Sequence, residues 1–226
     1  MDSPKKNVVI AFPGKEFSGT FLMQWSESLL KLSQLGYKIA LTNDYSSYAP
    51  FTRMMTLGLD TMRGNEQKPF DGKVEYDVWV TIDSDIIFKA KQLIELIEDT
   101  DKFPVISGVY RMANSKYIAA VKEWNLAHFI KNGVYEFIDP ETFDEDVKHH
   151  EVAYVGMGFM ACTREVLEKI EYPYFNYPTE ELQVDGKTIS QVFSEDVSFS
   201  KRVTDAGYKI VINTDLRLGH EKKLIM

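Results

Sequence analysis

Four short apolar runs, at residues 7–13, 38–44, 76–82 and 104–110, are spaced through the first half of the chain, and helical periodicity lies between them. That alternation is the strongest constraint on the fold. Strand, helix and strand in succession form right-handed βαβ units on a mostly parallel sheet, because a parallel neighbour is reached only through a crossover. After the first run, Phe21, Trp25, Leu29 and Leu32 recur along one side of a helix that Gly36 ends. Pro50 and Thr52 open a second predicted helix over residues 53–63, with Met54, Met55, Leu57, Leu59 and Met62 on its apolar side. Ala90, Leu93, Ile94 and Ile97 mark a third. The run at 76–82 contains Val78, Trp79, Val80 and Ile82, the signature of a strand buried on both faces.

This last run ends in Asp83-Ser84-Asp85. In open α/β sheets, ligands bind in the crevice formed by loops leaving the carboxyl ends of the strands. Two carboxylates one residue apart at such an end can hold a hard divalent cation against a diphosphate. The triplet by itself fits an acidic turn or N-cap equally well. The neighbouring strand ends are just as double-edged. Pro13 and Gly14 start a loop whose backbone N–H groups can approach a phosphate or a base, although P-loop spacing is absent. Asn43 and Asp44 suit a base or ribose, or a turn. Arg53 and Arg63 suit a diphosphate or a base, or a solvated helix face.

The second half is less regular. Residues 117–121 and 135–138 predict antiparallel strands, and residues 136–151 hold seven acids in sixteen positions, the composition of a solvated loop. His149 and His150 are adjacent and lack the spacing of a paired metal site. Residues 152–162 read as one strand interrupted by Gly156-Met157-Gly158, where the glycines mark a bulge or a close approach by another group. A short helix at 164–170 leads to an aromatic loop at 172–178, whose tyrosines can stack on sugars or pack over the sheet edge. Ser194 is the expected N-cap of a helix that begins with Glu195 and Asp196 and closes with Lys201 and Arg202, matching the helix dipole. A final strand at 207–213 precedes a lone His220 and then Lys222 and Lys223.

The 226-residue chain carries a net charge of −8 at pH 7, which argues against gripping nucleic acid. Its single cysteine, Cys162, excludes an intrachain disulfide. No apolar run is long enough for a membrane span, so the expectation is a soluble, cytoplasmic protein.

An Asp-x-Asp at a strand end, a Gly-Met-Gly strand, a Glu-Asp helix start and a late histidine follow one another from Asp83 to His220. In this the chain resembles the GT-A family of nucleotide-sugar glycosyltransferases. Its overall sequence is similar to the amino-terminal glycosyltransferase domains of capsid-glycosylating proteins in large algal DNA viruses, the chloroviruses, although no motif specifies that match. The resemblance implies a GT-A, Rossmann-like α/β fold as a single domain over 1–226. About 1–111 would form the nucleotide-binding half, and about 112–226 an acceptor half with a smaller antiparallel portion.

The implied activity is metal-dependent transfer from a UDP-sugar donor to a glycan or glycoprotein acceptor, in glycosylation of a viral capsid protein. Asp85 and His220 would ligate Mn²⁺ or Mg²⁺, with Asp83 on the ribose and sharing or supporting the metal, next to Ser84. Pro13, Gly14 and Asp44 would lie near the base, and Arg53 or Arg63 near the base or diphosphate. Gly156, Met157 and Gly158 would line the acceptor side, and Lys222 and Lys223 would assist electrostatically. Asp196, beside Glu195, would deprotonate the acceptor if the reaction inverts, or position the acceptor or stabilise the sugar cation if it retains. Two other readings are a sugar-nucleotide-forming nucleotidyltransferase and a non-catalytic glycan- or partner-binding domain.

Overall fold

The computed structural model describes residues 5–144 and 146–222. The first half runs β1 (Asn7–Pro13), α1 (Gly19–Gln34), β2 (Lys38–Asp44), α2 (Ala49–Thr56), β3 (Val78–Ile82), β4 (Ile86–Ile87), α3 (Ala90–Asp99) and β5 (Val105–Tyr110). The second runs β6 (Ala120–Val121), α4 (Leu126–Asn132), β7 (His149–Val152), β8 (Tyr154–Val155), β9 (Phe159–Thr163) and α5 (Arg164–Lys169). It ends with β10 (Thr179–Val184), β11 (Lys187–Val192), α6 (Glu195–Asp205) and β12 (Ile210–His220).

The main sheet has the order β2-β1-β3-β9-β5-β12-β4, with β7 also on β12. Strand β1 is parallel to β2 and β3, and β12 is parallel to β5, while β9 runs antiparallel between β3 and β5. Strands β1, β2, β3, β5 and β12 therefore point the same way. Their carboxyl ends, at Pro13, Asp44, Ile82, Tyr110 and His220, lie along one edge of the sheet.

Side-chain alternation divides the core between the two faces of this sheet. Val8, Ile10, Val78 and Val80 pack on one face with Phe21 and Leu32 of α1 and Leu93 and Ile97 of α3. Val9, Ala11 and Trp79 pack on the other with Met54 of α2, Leu167 of α5 and Phe199 of α6. Every residue of β3 is buried, as its apolar run predicts.

Three expectations change. The helix predicted over 53–63 begins earlier and stops at Thr56, because Pro50 occupies its first turn and Gly58 takes a positive φ of 62°. A separate 3-10 turn, Thr61–Arg63, follows. The run at 152–162 is not one strand: β7 lies on β12, β8 leaves to pair with β6, and β9 begins after Gly158. Pairing at 117–121 and 135–138 is reduced to β6 and the isolated bridges Arg111–Ile118 and Val121–Phe137. The sequence reading also lacked α4 and the β10–β11 hairpin, and ended β12 at Asn213 rather than His220. Among the described residues, no helix is long and apolar enough to cross a membrane.

Candidate active site

Asp83 stands just beyond β3, where its backbone N–H donates to the Gly158 carbonyl at 2.9 Å. Arg53, from α2, donates to both of its carboxylate oxygens, Nη1 to Oδ1 at 3.1 Å and Nη2 to Oδ2 at 3.2 Å. The same guanidinium donates through Nε to Glu195 Oε1 at 3.2 Å. Arg53 and Glu195 are only 7% and 9% exposed. Burial pulls the Arg53 pKa down, but Asp83 first, then Glu195 and Asp196, raise it above the ordinary guanidinium value. The Arg53 charge is thus committed to two acids. Arg63 is elsewhere: it pairs with Asp71 at 3.2 Å and donates to the Gly58 carbonyl and to Gln67 Oε1, tying down the segment after α2.

Asp85 and His220 meet at the same edge because β12 pairs antiparallel with β4, placing His220 opposite Ile86. His220 Nε2 lies 3.1 Å from Asp85 Oδ2, and Nδ1 lies 2.9 Å from the Arg111 carbonyl. A carbonyl only accepts, so Nδ1 carries the hydrogen; Nε2 then meets the carboxylate as an N–H donor if the ring is charged and as a lone pair if it is neutral. In the neutral form two acceptors face each other, an arrangement that a positive charge between or beside them satisfies. Donors bound at about 2.0–2.2 Å to one cation and roughly at right angles stand about 3 Å apart, so this pair fits a metal shell. The carbonyl on Nδ1 is the kind of outer partner that orients a ligating imidazole. Lys222 Nζ also reaches Asp85 Oδ2, at 2.8 Å. No group of three or more His, Cys, Asp or Glu side chains that could hold a metal occurs among the described residues. Asp83, expected on the ribose and sharing or supporting the metal, has both oxygens on Arg53.

The two acids that open α6 face different partners. Glu195 turns to Arg53, whereas Asp196 Oδ2 accepts from the Tyr154 hydroxyl at 2.9 Å. Asp196 Oδ1 accepts from Val197 N–H at 2.9 Å and from the Ser194 hydroxyl. Ser194 has the backbone geometry of an N-cap, but its hydroxyl serves Asp196 and caps no helix N–H. Burial foremost, and then Asp196, raises the Tyr154 pKa, so this hydroxyl remains a proton donor.

The close approach implied by Gly156 and Gly158 comes from the protein's own Tyr110. A Cβ at Gly158 would lie 2.8 Å from the Tyr110 ring and hydroxyl, and one at Gly156 would collide with that hydroxyl. The hydroxyl accepts from Gly158 N–H at 3.1 Å, and the ring stands edge-on to His220 at 5.1 Å. Met157, expected on the acceptor side, is 1% exposed and packs in the core.

On the nucleotide side, Gly14 has φ 145° and lies so close to Ser84 that a Cβ would stand 2.9 Å from the serine side chain. Its N–H donates to the Asp44 carbonyl at 2.9 Å, and Asn43 Nδ2 donates to the Gly14 carbonyl at 2.7 Å. Pro13, Gly14, Asp44, Asp83 and Ser84 are therefore brought together by β1, β2 and β3. Sequence reasoning missed Tyr110 and Tyr154, whose only signal is their aromatic character. It noted the aromatic loop at 172–178 but not that Tyr177 meets Tyr48 ring to ring at 5.2 Å.

No protein-family model and no curated protein sequence matches the chain. Solved structures match it in shape. The crystal structure of A197 from STIV superposes with a TM-score of 0.55 at 16% identity, over 96% of this chain and 86% of that one. The fold is of the GT-A type. GalNAc-T7, solved with UDP, GalNAc and Mn²⁺, matches at 0.54 with 10% identity, over 97% of this chain. This chain spans only 44% of the length of that one. The catalytic domain of Drosophila β1,4-galactosyltransferase 7, solved with xylobiose, matches at 0.50 with 12% identity, over 96% of this chain and 71% of that one. At these identities the likeness concerns the GT-A fold, so the site's chemistry rests on its own geometry.

Proposed function

We propose that the chain is a metal-dependent glycosyltransferase that moves a sugar from a UDP-sugar to a hydroxyl of a glycan or protein-linked glycan. The observation that carries this reading is the Asp85–His220 pair at 3.1 Å, on the sheet edge where Asp83 is held by Arg53. Because Arg53 is committed to Asp83 and Glu195, a diphosphate needs another source of positive charge. Mn²⁺ or Mg²⁺, held by Asp85 and His220, would supply that charge as the nucleoside diphosphate leaves. GalNAc-T7, of like fold, was solved with UDP and Mn²⁺.

Asp83, oriented by Arg53, accepts from the ribose hydroxyls. Pro13, Gly14 and Asp44 face the base, with the Gly14 backbone fixed by the Asp44 carbonyl and the Asn43 amide. Lys222 adds positive charge near the diphosphate; Lys223 lies outside the described residues. On the acceptor side, Gly156 and Gly158 with Tyr110 form the wall, and Asp196, held by Tyr154, engages the attacking hydroxyl. The acceptor oxygen bonds to the anomeric carbon as the bond to the UDP oxygen breaks. Asp196 takes the hydroxyl proton if configuration inverts, and positions the acceptor if it is retained. We extend the reading to a viral capsid glycan as acceptor, in the host cytoplasm, on the sequence resemblance to chlorovirus domains alone.

Calorimetry of UDP binding with and without Mn²⁺ tests the reading, followed by a UDP-sugar hydrolysis screen and NMR of any transferred product. Absence of metal-dependent UDP binding overturns it. Release of pyrophosphate from a nucleoside triphosphate would move the chain to the nucleotidyltransferases.

A further inference from the structure

A cavity beside His220 has a character opposite to that of the chain. The protein carries a net charge of −8. Yet this space of about 430 Å³, between the ends of β5 and β12 and the segments around residues 111–118 and 140–143, is lined by Arg111, Arg217, Lys222 and His220. No Asp or Glu is among its described lining residues, and its floor is apolar, including Ile118 and Phe143.

The three cations differ in how far they are satisfied. Arg111 donates to the Ser115 and Lys116 carbonyls and pairs with Glu141, and Lys222 pairs with Asp85. Arg217 is held only through Nε, which donates to the Thr214 carbonyl at 3.2 Å. Its Nη1 and Nη2 meet no acid among the described residues, in contrast to Arg53, whose donors are shared between two carboxylates. A shift of register in β12 between Ile212 and Arg217 sets Arg217 opposite Val109, another lining residue of this cavity. Arg111 and Lys222 already have acid partners, so Arg217 is the cation of this partly apolar hollow left without an acid among the described residues, and a guanidinium whose terminal nitrogens meet no acid matches a phosphate or carboxylate in fork geometry.

We propose that this cavity seats the anionic group, a phosphate or a carboxylate, of the acceptor, with Arg217 as its principal contact and Arg111 flanking it. The apolar floor takes the carbon skeleton to which the anion is attached. The cavity shares His220 with the candidate metal pair, so an acceptor anchored here has its neighbouring hydroxyls at the donor end of the site. Naming the ligand an acceptor rests on the glycosyltransferase reading; anion binding at Arg217 does not.

The test titrates the whole chain, free of divalent metal and nucleotide, with inorganic phosphate and separately with glucuronate, which distinguishes the two anions. Saturable binding of one of them is expected. It should weaken with salt, fall at least tenfold in Arg217→Glu, and recover in part in Arg217→Lys. Arg217 is exposed, and an unchanged melting temperature certifies that each variant is folded. Failure of both anions to bind, or undiminished binding in folded Arg217→Glu, overturns the site. UDP affinity with Mn²⁺ should stay within twofold in Arg217→Glu; a larger loss would make Arg217 a donor residue and overturn the acceptor assignment. If the anion binds through Arg217 while metal-dependent UDP binding is absent, the anion site stands and the glycosyltransferase reading falls.

Discussion

His220 Nε2 faces Asp85 Oδ2 at 3.1 Å across 135 residues of sequence, with His220 Nδ1 fixed by the Arg111 carbonyl. With the ring neutral, this orientation aims the imidazole lone pair at a carboxylate, the arrangement that a shared cation relieves. Asp85→Ala is therefore expected to abolish metal-dependent UDP binding. His220→Ala, which removes the second proposed ligand, should weaken it by at least about 100-fold, the upper end of the cost of losing a mere outer partner of a ligand. Calorimetry with Mn²⁺ reads both, and donor affinity in Asp85→Ala equal to that of the wild type would sink the metal assignment.

Asp196 is separated from that pair in role. Asp196→Ala should leave UDP–Mn²⁺ affinity within about twofold and lower turnover by about 10²–10⁴, the usual contribution of a positioned acid or base. Tyr154→Phe removes one hydrogen bond from the same carboxylate and should lower turnover roughly 5–10-fold, as a net loss near 1 kcal/mol implies. Steady-state kinetics beside binding data separate the two. A parallel fall in donor affinity would assign Asp196 to the donor side instead.

Sequence legibility followed the range of the physics. Strands β1, β2, β3 and β5 and helices α1 and α3 are set by local apolar periodicity, which is why residues such as Trp79 and Leu93 declare them. The end of α2 depends on Gly58 taking a positive φ, and the apolar residues that continue past it to Met62 conceal the stop. The hairpin β10–β11 carries its turn signal in Asp185-Gly186, with φ of 50° and 75°, but its strands are largely exposed and show no core-facing alternation. Asp83, Asp85 and His220 were legible as an ordered set. The commitment of Arg53 to Asp83 and Glu195 was not, because it joins three elements that only the tertiary fold brings together.

That commitment makes Arg53 a structural strut between the two halves of the site. Arg53→Met leaves Asp83 and Glu195 near each other without their shared cation, and losing one member of a buried ion network costs about 3–5 kcal/mol. For a chain of this size that corresponds to a fall in Tm of roughly 6–20 °C. Arg53→Lys keeps the charge but not the fork and should fall between. Thermal denaturation monitored by circular dichroism checks this, and a Tm for Arg53→Met within 2 °C of the wild type, roughly the shift of 1 kcal/mol, would contradict the strut.

Tyr110 and the two glycines of β9's approach offer a test with an internal control. At Gly156 the added methyl of an alanine meets chiefly the Tyr110 hydroxyl, whereas at Gly158 it meets the ring carbons as well, at 2.8 and 2.9 Å. Both Gly156→Ala and Gly158→Ala should destabilise the fold by about 1–3 kcal/mol through overpacking. Adding Tyr110→Phe removes the hydroxyl but keeps the ring, so it should restore most of the stability lost in Gly156→Ala and little of that lost in Gly158→Ala. Urea denaturation of the two double mutants against Tyr110→Phe alone gives the coupling energies. Because the Gly158 carbonyl also accepts from Asp83 N–H, Gly158→Ala should weaken UDP binding as well, while the rescued Gly156→Ala, Tyr110→Phe protein should bind UDP nearly as Tyr110→Phe does. Equal rescue at both glycines would mean that the ring does not form the wall against β9 described above.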